Sequence, residues 1–358
     1  MKKLLLFLLC IYIFIPKVQA SVSSASEYVL MDMDSGRVLA SKNKDSPRLI
    51  ASITKIMTAV IAIENKDLNE VVTIGDEVLK MYGTNIYIEP NEQMTLRDLL
   101  YGLMLRSGND AAVAIANYVS DSEEDFVYLM NKKAKELGMN NTEFKNPHGL
   151  DEETQNYSTA YDMAKLMKYA NTLVEFVEIS GTNKWSTKSN IKSYVWYNRN
   201  KLLNDYKYLT GGKTGYTPKA GKTLVTTASK DNLNLVAVSL NDSNHYETHK
   251  ELYEYIFSKY KSVKLIDKNN IVFNSSKYDN LYINYSFSYP LTDEEIDDII
   301  INVDYYNLDN VDNNSIVGEI YVNFKDEEIF RENIYLREKK SKEKNLFSKV
   351  VDFFTSII

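Results

Sequence analysis

The chain has 358 residues, 44% of them hydrophobic and 25% charged, ordinary globular usage that excludes a disordered, collagenous or many-span membrane protein. Its length suggests two domains, or one large domain with an appendage. A net charge of −7 without a long basic run argues against nucleic acid as a partner, and three histidines with a single cysteine leave little material for a structural zinc site, so no metal or cofactor is expected.

Lys2 and Lys3 precede an apolar stretch from Leu4 to Ile15, and Val18-Gln19-Ala20 supplies small residues that a signal peptidase accepts before Ser21. Residues 1–20 therefore read as a cleaved secretory signal, since about a dozen apolar residues fall short of the ~20 that span a bilayer. Cleavage removes Cys10 and leaves 39 basic against 49 acidic residues, a net charge of −10. An exported chain without disulfides must rest on its packed core.

Tyr28 to Asp32 and Arg37 to Lys42 flank Asp34-Ser35-Gly36, which predicts an opening β-hairpin. Ser52 to Asn65 is apolar on most faces and predicts a buried helix. Thr95 to Leu105 starts on a capping residue and runs to Arg106-Ser107-Gly108-Asn109, where glycine breaks the pattern; Asp110 to Val119 resumes it. Ser122 to Leu137 and Thr159 to Ala170 are helical in pattern, with Asp162 three residues after Thr159. Lys222 to Ala228 and Leu233 to Leu240, joined by Ser229 to Asn232, predict an antiparallel hairpin, followed by a helix from Tyr246 to Tyr260.

Beyond about Val263 the texture changes to short strand-like runs (Ile271 to Phe273, Leu281 to Phe287, Ile316 to Phe324, Ile334 to Leu336), a small β-rich domain over 263–338. In the last segment, 339–358, Leu346, Phe347, Val350, Val351, Phe353, Phe354, Ile357 and Ile358 share one helical face. Lys339, Lys340, Lys342 and Lys344 precede it. This amphipathic helix suits a membrane surface with anionic headgroups, the alternative being that it docks on its own domain.

Ser52-Ile53-Thr54-Lys55 carries a serine with a lysine three residues later, one turn apart on one face. A buried lysine loses hydration of its charged form, so its pKa falls, and a neutral amine can take a hydroxyl proton. The spacing alone is weak, because Ser41, Ser189, Ser258 and Ser341 share it; Ser52 differs in its apolar surroundings, Leu49-Ile50-Ala51 and Ile56-Met57. Ser107-Gly108-Asn109 at a helix break can project a hydroxyl and an amide into a cleft, or be a plain turn. Gly211-Gly212-Lys213-Thr214-Gly215 reads alone as a glycine-rich loop, and lacks the spacing of a phosphate loop.

Taken in order, Ser-x-x-Lys, Ser-x-Asn and Lys-Thr-Gly form the triple of β-lactamases and penicillin-binding proteins. With Arg106-Ser107-Gly108-Asn109-Asp110-Ala111, Asn146-Pro147-His148-Gly149-Leu150, Ser158-Thr159-Ala160 and Lys213-Thr214-Gly215-Tyr216-Thr217, the chain from about Tyr28 to Phe257 resembles the low-molecular-mass penicillin-binding proteins that act as serine D-alanyl-D-alanine carboxypeptidases. The resemblance implies an α/β (α+β) transpeptidase-like fold over 21–262, an antiparallel sheet flanked by helices. It implies Ser52 as nucleophile, Lys55 as general base, Ser107 and Lys213 as proton relay, and an oxyanion hole of the Ser52 and Tyr216 N–H groups. Asn109, Thr214, Gly215, Tyr216 and His245 would bind substrate. The implied partners are a peptidoglycan stem ending in D-Ala-D-Ala, β-lactams as covalent inhibitors and, through the terminal helix, the outer face of the bacterial cytoplasmic membrane.

One departure concerns His245, which stands where relatives usually carry an arginine for the substrate carboxylate; histidine is only partly charged near neutrality and offers no guanidinium fork. His245 and His249, four apart, read as the start of a solvated helix rather than a metal pair, and the ring of His148 as an anchor for its own loop. Alternative readings are a D,D-endopeptidase and a stem-peptide or penicillin binder without turnover. A β-lactamase fits less well, for lack of an identifiable glutamate base.

Overall fold

The computed structural model of the protein describes residues 24–120, 122–308 and 311–337, so the leader and terminal amphipathic helix read from the sequence lie outside the described residues. The chain divides into two compact units. The first takes the chain up to Leu30, Ala40–Thr226 and Ala237–Tyr255; the second takes Met31–Leu39, Thr227–Val236 and the chain from Ile256 on.

Five strands make the main sheet: β1 (Ala25–Asp32), β2 (Val38–Lys42), β3 (Leu209–Thr217), β4 (Gly221–Lys230) and β5 (Leu233–Asp242), in the order β2-β1-β5-β4-β3. Connections of five residues or fewer join β1 to β2, β3 to β4 and β4 to β5, too short for a parallel crossover, so these neighbours run antiparallel. β4 and β5 meet at Asp231-Asn232, both at positive φ (50° and 63°), the pattern of a type I′ turn. The turn is tighter than the four residues read from sequence because strand pairing continues through Lys230. Six consecutive buried residues in each of β4 and β5 leave neither face of these strands to solvent.

Eight helices are described: α1 (Lys55–Asn65), α2 (Leu96–Tyr101), α3 (Asn109–Val119), α4 (Glu123–Glu136), α5 (Ala160–Ala170), α6 (Val174–Gly181), α7 (Leu202–Asp205) and α8 (His245–Lys259). Thr95, Ser122 and Thr159 cap α2, α4 and α5, each hydroxyl accepting the backbone N–H three residues on, of Asp98, Asp125 and Asp162. The first eight residues of α1 are all buried, as its apolar pattern requires. The glycine-rich segment read as a loop is instead β3, a strand at the sheet edge: glycine weakens a strand on its own, but pairing with β4 decides the matter. The sequence reading also passed over α6 and a hairpin of Lys184–Lys188 with Ser193–Tyr197.

In the second unit β6 (Lys261–Ile266) pairs antiparallel with a later strand, β8 (Phe287–Leu291). A four-stranded antiparallel sheet has the order β7-β11-β10-β9, from β7 (Leu281–Tyr282), β9 (Ile299–Tyr305), β10 (Ile316–Phe324) and β11 (Glu327–Leu336). Its core gathers Ile266, Tyr278, Ile283, Val317, Ile320, Val322, Ile334 and Leu336. Three readings from sequence change here. Ile271 to Phe273 is not a strand, Leu281 to Phe287 is split between β7 and β8, and Ile334 to Leu336 is only the end of a ten-residue strand. β9 went unread because Asp297, Asp298 and Asp304 surround its apolar residues. Arg37 also belongs to this unit, its guanidinium 4.7–5.4 Å from the ring centres of Tyr260, Tyr289 and Phe324 and 2.5 Å from Glu295. Among the described residues, no helix is long and apolar enough to cross a membrane.

Candidate active site

Ser52 occupies a 3₁₀ turn, Ala51–Thr54, that leads into α1, rather than the first turn of the α-helix. A 3₁₀ turn has three residues per turn, so positions i and i+3 eclipse. Lys55 Nζ accordingly lies 3.1 Å from Ser52 Oγ. Ala51 enters the turn at φ 50°, a costly conformation for a residue with a Cβ, and Gly149 (φ 88°) packs on the same peptide: a Cβ there would stand 2.1 Å from the Ala51 carbonyl oxygen and 3.0 Å from Ser52 N.

Lys55 is fully buried. Burial holds its pKa well below the usual range, and the nearby Lys213 pushes the same way, with Asp110 opposing. Its amine meets three groups: Ser52 Oγ, Asn109 Oδ1 at 2.8 Å and the His148 carbonyl oxygen. A neutral amine has two N–H bonds and one lone pair. The two carbonyl-type oxygens can only accept, so they take the N–H bonds, and the lone pair is left for the serine hydroxyl.

Asn109 is fixed at both ends, because its Nδ2 also donates to the Tyr82 carbonyl at 2.7 Å. Its position follows from the chain just before it. α2 widens into a π-helical stretch over Gly102–Arg106, Ser107 turns into the left-handed region (φ 66°), and α3 restarts at Asn109. Asp110, next in sequence, is buried and accepts the backbone N–H groups of Ile86, Tyr87, Ile88 and Ala111, tying the 82–88 segment to the start of α3.

Lys213 on β3 is 2% exposed and donates to Ser107 Oγ and to the Thr214 carbonyl, each at 2.9 Å. Burial, with Arg199 adding repulsion, draws its pKa down to about 7. Gly215 has no space for a side chain: a Cβ would meet Thr223 Oγ1 at 2.4 Å and Ser52 N at 2.9 Å, so β3 runs directly past the serine's backbone N–H.

A cavity of about 440 Å³ opens over Ser52, with Ser107, Thr214, Gly215, Tyr216 and His245 on its walls. Residues from three distant stretches of chain thus meet here in two hydrogen-bonded sets, Ser52 with Lys55 and Asn109, and Ser107 with Lys213; Ser52 and Ser107 lie on one cavity that Thr214, Gly215, Tyr216 and His245 also border. His245 is part-buried, and burial together with Lys222 lowers its pKa below the ordinary value, so it is mostly neutral at pH 7. His249 is wholly buried, bonded to Thr226 Oγ1 and Ser239 Oγ, so it belongs to the core and not to a solvated helix start. Sequence reasoning missed Arg199, Lys201 and Lys222, which give the cavity its positive lining. Only a cation between two asparagines, Asn198-Arg199-Asn200, hinted at the first. His148 Nδ1 accepts the Leu150 N–H at 3.0 Å, and burial draws its pKa down to about 3.

The family model for D-alanyl-D-alanine carboxypeptidase matches residues 16–244, more than half of the chain. The chain belongs to this family. Among its relatives, the D-alanyl-D-alanine carboxypeptidase DacF of Bacillus subtilis is 35% identical over 257 residues, 69% of this chain and 66% of the relative. DacC of Escherichia coli is 33% identical over 235 residues, 62% of this chain and 58% of the relative. The chain thus spans less than two thirds of the length of these relatives. Among solved structures, penicillin binding protein 5 from Haemophilus influenzae superposes with a TM-score of 0.74 at 26% identity, covering 89% of this chain and 98% of the other. A D-alanyl-D-alanine carboxypeptidase from Mycobacterium tuberculosis gives 0.64 at 30% identity, covering 66% and 92%.

Proposed function

We propose that this protein is an exported serine D-alanyl-D-alanine carboxypeptidase that removes the terminal D-alanine from peptidoglycan stem peptides. The observation that carries the reading is the fully buried Lys55 amine, its pKa held well below the usual lysine range by desolvation, 3.1 Å from Ser52 Oγ. In the first step Lys55 takes the hydroxyl proton as Ser52 Oγ attacks the carbonyl between the two D-alanines. The Ser52 and Tyr216 N–H groups stabilise the oxyanion, a role that fits the close passage of Gly215 beside Ser52 N. Lys213 and Ser107, 2.9 Å apart, pass a proton to the leaving amine, for which a lysine titrating near 7 is suited. D-alanine leaves, and water then cleaves the ester on Ser52. Asn109 aligns the peptide upstream of the scissile bond. Thr214 holds the departing residue's carboxylate, with Arg199 supplying the guanidinium that His245 cannot.

A β-lactam presents a carbonyl and carboxylate in the same relation and acylates Ser52. The leader-like residues 1–20 and the amphipathic 346–358 segment support export and attachment to the outer face of the cytoplasmic membrane. Purified protein should release D-alanine from a diacetyl-Lys-D-Ala-D-Ala peptide, and Ser52→Ala should lose both this release and labelling by fluorescent penicillin. A stable penicilloyl adduct with no D-alanine release would turn the reading to a binder, and labelling that survives Ser52→Ala would remove the serine from its role.

A further inference from the structure

The four-stranded sheet of the second unit has two unlike edges. β7 ends it on one side with two residues, the kind of short edge by which proteins avoid stray pairing. β9 ends it on the other side with seven, and among the described residues no strand pairs with its outer side. Ile299, Ile300, Ile301, Val303 and Tyr305 are all types that favour strands. From Thr292 to Tyr305 the chain holds no lysine, arginine or proline that would discourage a further strand.

The direction of the backbone groups follows from the pairing with β10, which is regular from Ile299 to Tyr305. Tyr306 N–H donates to the Val317 carbonyl oxygen at 2.8 Å and Lys325 N–H to that of Asp298 at 3.1 Å, so the even-numbered residues of this stretch bond to β10. The odd-numbered ones, Ile299, Ile301, Val303 and Tyr305, turn their N–H and C=O groups outward. Side chains add an apolar margin: Ile300 is 56% exposed on one face of the sheet, and Ile301 and Val303 are 45% and 38% exposed on the other.

We propose that this edge pairs with the same edge of a second copy of the chain, antiparallel and with Asn302 on the two-fold axis. That register is the one in which every residue of β9 finds a partner. Ile299 meets Tyr305 and Ile301 meets Val303, and each of these outward-turned residues exchanges both its hydrogen bonds with its mate. Charge agrees with the register: Asp304 of one copy faces Ile300 of the other and Asp298 faces Tyr306, so no acid stands opposite an acid. A register with Ile301 on the axis sets Asp298 against Asp304. One strand pair is a small interface, so the dimer dissociates on dilution.

The test uses the chain from Ser21 to Ile358, which has no cysteine. Sedimentation equilibrium should show twice the monomer mass, falling toward the monomer on dilution. Ile300→Asp sets a carboxylate against Asp304 at both ends of the pair and should raise the dissociation constant about tenfold, whereas Ile300→Lys, which sets an ammonium there, should leave it unchanged or lower. Asn302 and its mate form a non-hydrogen-bonded pair, where opposite Cβ atoms come closest, so Asn302→Cys should give a disulfide-linked dimer on mild oxidation. Asp304→Cys, whose mate in the second copy is Ile300, should not. A monomer at every concentration, equal effects of Ile300→Asp and Ile300→Lys, or equal linking in the two cysteine variants would overturn the pairing.

Discussion

The buried lysines make the stability of this protein depend on alkaline pH in a way that isolates Lys213. Folded, it titrates near about 7; unfolded, it returns to the ordinary value of 10.5. Between these values the unfolded chain binds a proton that the folded chain does not, so stability rises with pH across the window, is lowest below it and levels off above it. One proton is worth about 1 kcal/mol per pH unit, and the whole window at most about 5 kcal/mol. The perturbation is Lys213→Met, which keeps the stem and removes the titrating group, and the assay is urea unfolding at about pH 7.5, 8.5 and 9.5. The strongly shifted histidines and tyrosines leave this range clear. His148 and His249, drawn down to about 3, finish their contribution below neutrality, and tyrosines such as Tyr101, pushed up to about 12, act only near and above pH 10. Wild-type stability should climb by roughly 2 kcal/mol or more from pH 7.5 to 9.5, with Lys55 adding in the same sense, and the variant should lose about one proton's worth of that slope. Parallel curves for the two proteins would mean that Lys213 is charged in the folded state, and the proton-relay argument would fail with it.

Two further outcomes test the frame around the site. Gly149→Ala forces a Cβ into the Ala51 carbonyl at a φ of 88°; a loss of about 2 kcal/mol or more in urea unfolding, with slowed penicillin acylation, is expected, and unchanged values would mean that the Ala51–Ser52 peptide is not held there. Deleting residues 346–358 should release the protein from anionic vesicles in a sedimentation assay, and unchanged sedimentation would refute the membrane anchor.

The family and the stacking of Lys55 on Ser52 were legible in the sequence because their signals are local. A serine and a lysine three apart lie over one another in any helical turn, and the helix break at Ser107-Gly108-Asn109 announces itself through glycine. The strand that carries Lys213 was not legible: glycine-rich chain favours a loop until β4 supplies hydrogen-bond partners, and those are neighbours in space.

Tertiary structure alone decided the downward pull on the two lysine pKa values and the cast around the serine. Depressing the Lys55 and Lys213 pKa values takes a dry setting assembled from α1, α3, β3 and the His148 loop, and no window of sequence contains all four. The same holds for Arg199 and Lys222, whose charges reach the cavity from segments with no motif of their own. It holds too for His249, which reads as a surface residue and is buried, because polar partners at Thr226 and Ser239 arrive from two strands of the sheet. Sequence determines which side chains are available and how near neighbours stack; desolvation and charge coupling depend on distances that exist only once the chain has folded.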